Sequence, residues 1–216
     1  MRSGEQKVAR SYVLYREERK QLRQKEAPQK EEKEGINITL ENGNEDTLDI
    51  KHLETMVAEA CEGLEGTNAQ NIIDEANKNL YDGVTEEDAR TSLVMTSRTL
   101  VEQEPNYTYV TARILLDNIR TEALTYLGMQ KQATQKEMEN LYPQALRNFL
   151  ARGVENEILN PELLEMDIEK LGEAIDATRD TNFTYLGLQT LYDRYFIHDT
   201  EVRYELPQVF FMRVSM

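Results

Sequence analysis

The chain has 216 residues and a mass of 25.1 kDa, enough for one or two domains with a sizeable buried core. Apolar residues make up 39 % and charged residues 30 %, and 40 Asp and Glu face 25 Lys and Arg, a formal charge of −15. That balance argues against non-specific nucleic-acid binding; no apolar run approaches the roughly 18 residues of a membrane helix, and the single cysteine, Cys61, rules out an internal disulfide.

Charge is unevenly spread. Residues 1–35 hold 10 basic and 7 acidic side chains, which leaves 15 and 33 for the rest. Val8, Tyr12, Val13 and Tyr15 give a short apolar helix stripe, predicted as the last helix of a unit that begins earlier. Residues 25–35 contain one alanine, Pro28 and otherwise only polar, charged or glycine positions. Such a stretch has too little apolar surface to offset its ordering entropy and reads as a linker. The N-terminal MRSGEQKVAR lacks the apolar centre of a secretion signal, so a cytoplasmic location is expected, and the Asn-x-Thr triplets at Asn37, Asn106 and Asn182 are taken as chance.

Next comes Ile36-Asn37-Ile38-Thr39-Leu40, then Asn42-Gly43, a hairpin signal because both turn residues tolerate a positive φ. Leu53, Met56, Val57, Ala60 and Leu64 follow at helical spacing, ending near Gly63 and Gly66. Thr67 or Asn68 can cap a helix bearing Ile72, Ile73, Ala76 and Leu80, closed by Tyr81-Asp82-Gly83. Thr85-Glu86-Glu87-Asp88 opens the next, through Leu93, Val94, Ser97, Leu100 and Val101. Pro105 breaks it, and Asn106 starts a long helix with Val110, Ile114, Leu115, Asn118, Ile119 and Leu124.

The remainder is helical again. Tyr142-Pro143 is read as the start of a helix bearing Ala145, Leu146, Phe149 and Leu150, stopped by Gly153. Asn160-Pro161 caps another with Leu163, Leu164, Met166, Ile168 and Leu171. Arg179-Asp180 marks a turn. Phe183, Leu186, Leu188, Leu191, Tyr192, Tyr195 and Phe196 form a strongly apolar helix, and His198-Asp199-Thr200 a turn between short extended pieces near 195–205. Leu206-Pro207 opens a last helix, Gln208 to Met216, whose Val209, Phe210, Phe211, Met212 and Val214 end without a cap. Both ends therefore read as cut, and the expected fold is mainly α: a hairpin plus four helices, then a helical segment.

Pro105-Asn106-Tyr107-Thr108-Tyr109-Val110-Thr111-Ala112-Arg113, followed by Arg179-Asp180, Tyr185-Leu186-Gly187, Tyr195, Glu205-Leu206-Pro207-Gln208 and Met212-Arg213-Val214, resembles the N-terminal region of ribonucleotide reductase large (α) subunits. The hairpin-plus-helices unit is similar to that family's regulatory ATP cone. Ala9-Arg10, repeated as Ala112-Arg113, looks like the end of an earlier cone. The resemblance implies four segments: 1–24, the end of a first cone; 25–35, a linker; 36–127, a second cone; and 128–216, the beginning of the reductase's N-terminal helical domain. The family's catalytic α/β barrel and its cysteines lie beyond this chain, so no catalytic residue is expected here, and no metal site. It implies a partial ribonucleoside-diphosphate reductase, regulatory and structural in this segment. The expected partners of the complete enzyme are a small (β) subunit, a second large subunit, ribonucleoside diphosphates, and thioredoxin or glutaredoxin. ATP and dATP are the expected effectors, with no cofactor in this chain. The alternative is a stand-alone helical regulatory or interaction module derived from the reductase.

The same resemblance supplies a test of the cone. Where a binding cone has a Lys-Arg pair before the hairpin turn, this chain has Leu40 and Glu41. A lysine at the first helix start is His52. A threonine near the base is Glu86, and a phosphate-facing lysine of the last helix is Thr121. Phosphate needs cations or free N–H groups, and Glu41 and Glu86 oppose it, so the cone is expected to keep the fold without the site; Lys51 is the nearby cation that could compensate. Arg113 is read as a structural residue at a helix junction, and Arg179-Asp180 as a local ion pair fixing a turn. Tyr185, Tyr192 and Tyr195 are read as one packed helix face, and Cys61 as a buried helix cysteine.

Overall fold

The computed structural model describes residues 37–39, 45–47, 50–78, 85–200 and 202–216. The predicted segments 1–24 and 25–35, the hairpin turn with Leu40 and Glu41, and Tyr81-Asp82-Gly83 lie outside them. Residues 37–216 form one compact unit. It opens with a hairpin: β1 (Asn37–Thr39) pairs antiparallel with β2 (Glu45–Thr47), Ile38 opposite Asp46. Four helices follow, α1 (Ile50–Cys61), α2 (Ala69–Asn77), α3 (Glu86–Thr99) and α4 (Tyr107–Tyr126), as the periodicity predicts.

Local chemistry explains their limits. Gly63 and Gly66 beyond α1 have φ of 74° and 76°, the left-handed region that glycine enters without a Cβ clash. Asn68 caps α2, its Oδ1 accepting the Gln70 N–H at 2.8 Å, and its own N–H donates to the Tyr107 hydroxyl at 3.0 Å. Thr85 caps α3 by accepting the Asp88 N–H. The apolar positions behave as their spacing demands: Leu53, Met56, Val57 and Ala60 of α1, Ile72 and Ala76 of α2, Leu93 and Val94 of α3 are all buried, α1 and α3 packing on α4 and α2 packing on α1 and α3.

The second half begins with α5 (Gln135–Glu155), and one prediction fails here. Pro143 does not start this helix; it sits inside it. The start lies two turns earlier at Thr134, whose hydroxyl accepts the Glu137 N–H while the Glu137 carboxylate accepts the Thr134 N–H at 2.8 Å. That reciprocal cap satisfies two otherwise unpaired donors and outweighs the proline. Gly153 does not stop the helix either. It lies in the last turn, where its carbonyl accepts the N–H groups of Ile158 and Leu159.

The segment after Asn160-Pro161 is a 3₁₀ turn, Pro161–Glu165, followed by short α6 (Ile168–Glu173), rather than one helix. A second 3₁₀ turn spans Ala177–Asn182 and leads to α7 (Tyr185–Arg194). Then β3 (His198–Asp199) pairs with β4 (Val202–Arg203), the expected short extended pair, although His198 and Asp199 form its first strand rather than the turn, and α8 (Pro207–Ser215) follows Leu206. The core here is Met138, Tyr142, Leu146, Phe149, Leu150, Leu188, Tyr204 and Val209. Helix α4 belongs to both halves: one side packs on α1 and α3, the other on α7 and β4. No helix of the described residues is long and apolar enough to cross a membrane.

Candidate functional site

Three of the five positions singled out from the sequence converge around one buried ion pair. Arg90, in the second turn of α3, reaches across to Asp117 in the middle of α4, Nη1 to Oδ2 at 2.5 Å. Both residues are 6 % exposed. His52, in the first turn of α1, brings Nε2 to 3.8 Å from the same carboxylate oxygen. Thr121 stands one turn after Asp117 on α4, and its hydroxyl donates to the Asp117 carbonyl at 3.0 Å. Position 86 lies one turn before Arg90 on α3. Leu40 and Glu41 fall outside the described residues.

Burial favours the neutral form of the Asp117 carboxyl, but His52 and Arg90 outweigh it and hold the group below the ordinary aspartate value. The consequence for stability has a definite sign. A carboxyl depressed in the fold is stabilising above its unfolded value of about 3.9, and that contribution is lost as pH falls through the folded value. Thermal midpoints followed from about pH 6 to pH 2.5 are expected to fall less steeply in the acid limb for Asp117→Asn than for the wild type.

Neither Arg90 nor Asp117 was found by motif reasoning. The available signal was a charged residue set within Ile114-Leu115-Leu116-Asp117-Asn118-Ile119, where helix burial requires a partner.

Arg113 has the structural role read from the sequence. Its Nη1 donates to the carbonyls of Ala60 at 3.0 Å and Glu62 at 2.8 Å, satisfying the open C-terminal end of α1. Cys61, the last residue of α1, is half-buried rather than buried. Burial pushes its thiol up, which disfavours the reactive thiolate.

Arg179-Asp180 is not a local ion pair. Arg179 is exposed and approaches Asp176 at 3.5 Å. Asp180 turns inward, where its Oδ2 accepts from Tyr142 Oη at 2.6 Å and Arg120 Nη2 at 3.1 Å, and its Oδ1 from Gln208 Nε2 at 2.9 Å. Burial and the Asp180 charge keep the Tyr142 phenol well above its usual range. Tyr185 and Tyr192 of α7 and Tyr195 just beyond it do not share a packed face: Tyr185 is buried, Tyr192 is half-buried and donates to Glu122 at 2.7 Å, and Tyr195 is 56 % exposed.

A hairpin and four helices, with the last helix built into a following α-helical layer, is the arrangement of an ATP cone joined to a helical domain. The ATP cone domain model matches residues 36–122, and the model for the ribonucleotide reductase all-alpha domain matches residues 181–216. The chain is 36 % identical over 220 residues to the ribonucleoside-diphosphate reductase subunit alpha of Chlamydia trachomatis, covering 99 % of this chain and 20 % of that protein. It is 34 % identical to the Chlamydia pneumoniae subunit alpha over 222 residues, 100 % of this chain and 21 % of that one. The Helicobacter pylori subunit alpha is 27 % identical over 184 residues, 84 % of this chain and 22 % of that protein. The chain thus spans about one fifth of the length of these curated relatives. It is a homologue of the N-terminal, cone-bearing region of the ribonucleotide reductase large subunit.

Proposed function

We propose that this chain is the regulatory and structural N-terminal part of a ribonucleoside-diphosphate reductase large subunit, the oxidoreductase that makes deoxyribonucleotides from ribonucleoside diphosphates in the cytoplasm. The carrying observation is the order of the two matched domains on one chain, cone then all-alpha domain. In this reading the segments divide as 1–24, 25–35, 36–127 and 128–216. The catalytic cysteines, the contacts to the small subunit and the thioredoxin- or glutaredoxin-linked reduction belong to the rest of the enzyme. Reading the coding DNA past codon 216 tests it: an open frame encoding a cysteine-containing barrel is expected, and a stop codon there would overturn it.

The cone itself is proposed to be silent towards ATP and dATP, its effectors acting elsewhere in the enzyme. What supports this is the loss of cations at Leu40, Glu41, His52 and Thr121 and of a hydrogen-bonding threonine at Glu86, together with the engagement of His52 by Asp117. A triphosphate carries about four negative charges, and each like-charge contact at a surface costs on the order of a kcal/mol or more. Calorimetry with ATP and with dATP is expected to show no saturable signal below the millimolar range, where binding free energy passes roughly −4 kcal/mol. Binding in that range that disappears in Lys51→Ala would mean that Lys51 replaces the missing cations.

A further inference from the structure

We propose that the Asp117 carboxylate is the cone's resident anion, held by Arg90 and His52 where a polyphosphate would otherwise be bound. This rests on the reading of the unit as an ATP cone that is silent in its natural form, and it supplies the reason for the silence.

The cluster is built from three separate helices. Arg90 Nη1 lies 2.5 Å from Asp117 Oδ2, and His52 Nε2 lies 3.8 Å from the same atom. Asp117 therefore lies beside His52 and one turn before Thr121, the two helical positions where the family resemblance places lysines. Guanidinium groups bind carboxylate and phosphate oxygens through the same fork of N–H donors. One internal carboxylate thus satisfies the donor that a phosphate oxygen would meet. It also adds a fixed negative charge at low dielectric, where repulsion of a second anion is strong. The His52 side chain is 18 % exposed, so the cluster has an edge open to solvent. Thr121 cannot offset the repulsion, since its hydroxyl already donates to the Asp117 carbonyl. On this reading the lost lysines alone do not explain the silence. The carboxylate actively excludes the ligand, and neutralising it restores anion binding without any new cation.

The test uses the whole 216-residue chain as wild type, as Asp117→Asn and as Asp117→Asn with Arg90→Gln. Sodium tripolyphosphate is titrated calorimetrically, then ATP, each against sodium chloride of equal ionic strength. Asp117→Asn is expected to bind tripolyphosphate at least about tenfold more tightly than the wild type, and the double variant to lose that gain. ATP is expected to follow tripolyphosphate, because the phosphates are what Asp117 replaces. A gain for ATP with none for tripolyphosphate would overturn the proposal. So would a folded Asp117→Asn that binds neither, the result expected of a merely structural ion pair. If Asp117→Asn does not fold in buffer, circular dichroism is repeated with tripolyphosphate. A ligand that binds only the folded state recovers it by mass action, so recovery supports the proposal and its absence overturns it. Wild-type binding of ATP would end the reading of a silent cone, whereas this proposal would then fail if Asp117→Asn did not tighten that binding.

Discussion

Asp180→Ala is expected to destabilise the unit by about 3–5 kcal/mol, the range for breaking a buried ion pair by removing one partner. Asp180 is 1 % exposed and accepts from Arg120 of α4, Tyr142 of α5 and Gln208 of α8. Truncation leaves a buried guanidinium, a phenol and an amide without this acceptor, and each loses hydrogen bonding that water does not replace. Arg120 also donates to Gln135, whose amide donates to the Ala177 carbonyl at 2.7 Å. The cluster therefore joins α4 to the elements behind it. Arg179→Ala supplies the contrast. Arg179 is exposed and pairs with Asp176 at 3.5 Å, so its removal is expected to cost no more than about 0.5 kcal/mol. Urea unfolding followed by circular dichroism separates the two; equal losses would restore the local-pair reading of Arg179-Asp180.

Phe149→Ala is expected to cost about 3–5 kcal/mol, the sum of lost transfer energy and a cavity that the surroundings fill only in part. Phe149 is fully buried in α5, and its ring lies 5.5 Å from that of Tyr204, which in turn stacks on Tyr126 at 4.8 Å. Burial pushes the Tyr204 phenol up to about 12, with Tyr126 adding to it. The comparison is Leu186→Ala on α7. Leu186 is 70 % exposed, so the change is expected to stay within about 0.5 kcal/mol. Thermal unfolding of both variants decides the matter. A large loss at Leu186 would mean that α7 buries the face its composition suggests.

That pair of residues shows where the sequence speaks and where it stops. In α7 the run Phe183, Leu186, Leu188, Leu191, Tyr192, Tyr195 and Phe196 is apolar on several sides, so periodicity does not choose the inner face. The structure does: Leu188 and Phe196 are buried, while Leu186 and Tyr195 are exposed. Phe210 lies beside Phe196 and Tyr195 and against Phe211, whose ring stacks on Phe183 at 6.2 Å. Phe211 and Val214 remain 47 % and 64 % exposed. In α1 to α3 the stripe is narrower, and the spacing named Leu53, Met56, Val57, Ala60, Ile72, Ala76, Leu93 and Val94; α4 is buried on nearly every side, and its Ala112, Leu116 and Ala123 lay outside the named stripe.

The four helices of the first half, their main apolar positions, the hairpin and the second extended pair were therefore determined by the sequence itself. These depend on interactions over a few residues: the 3.6-residue repeat, side-chain caps such as Asn68 and Thr85, and glycines at φ above zero. The homology was legible for a related reason, since its motifs are short and keep their order. The start of α5 was missed because a proline inside a helix is a strong local signal, and here the Thr134–Glu137 cap overrode it. What only the tertiary structure decided is which charges meet. Arg90 and Asp117 are 27 residues apart, Arg120 and Asp180 are 60 apart, and no spacing rule joins such pairs. Their meeting is set by the packing of helices, which brings distant carboxylates and guanidinium groups into the same dry interior, where each must find the other or remain unpaired.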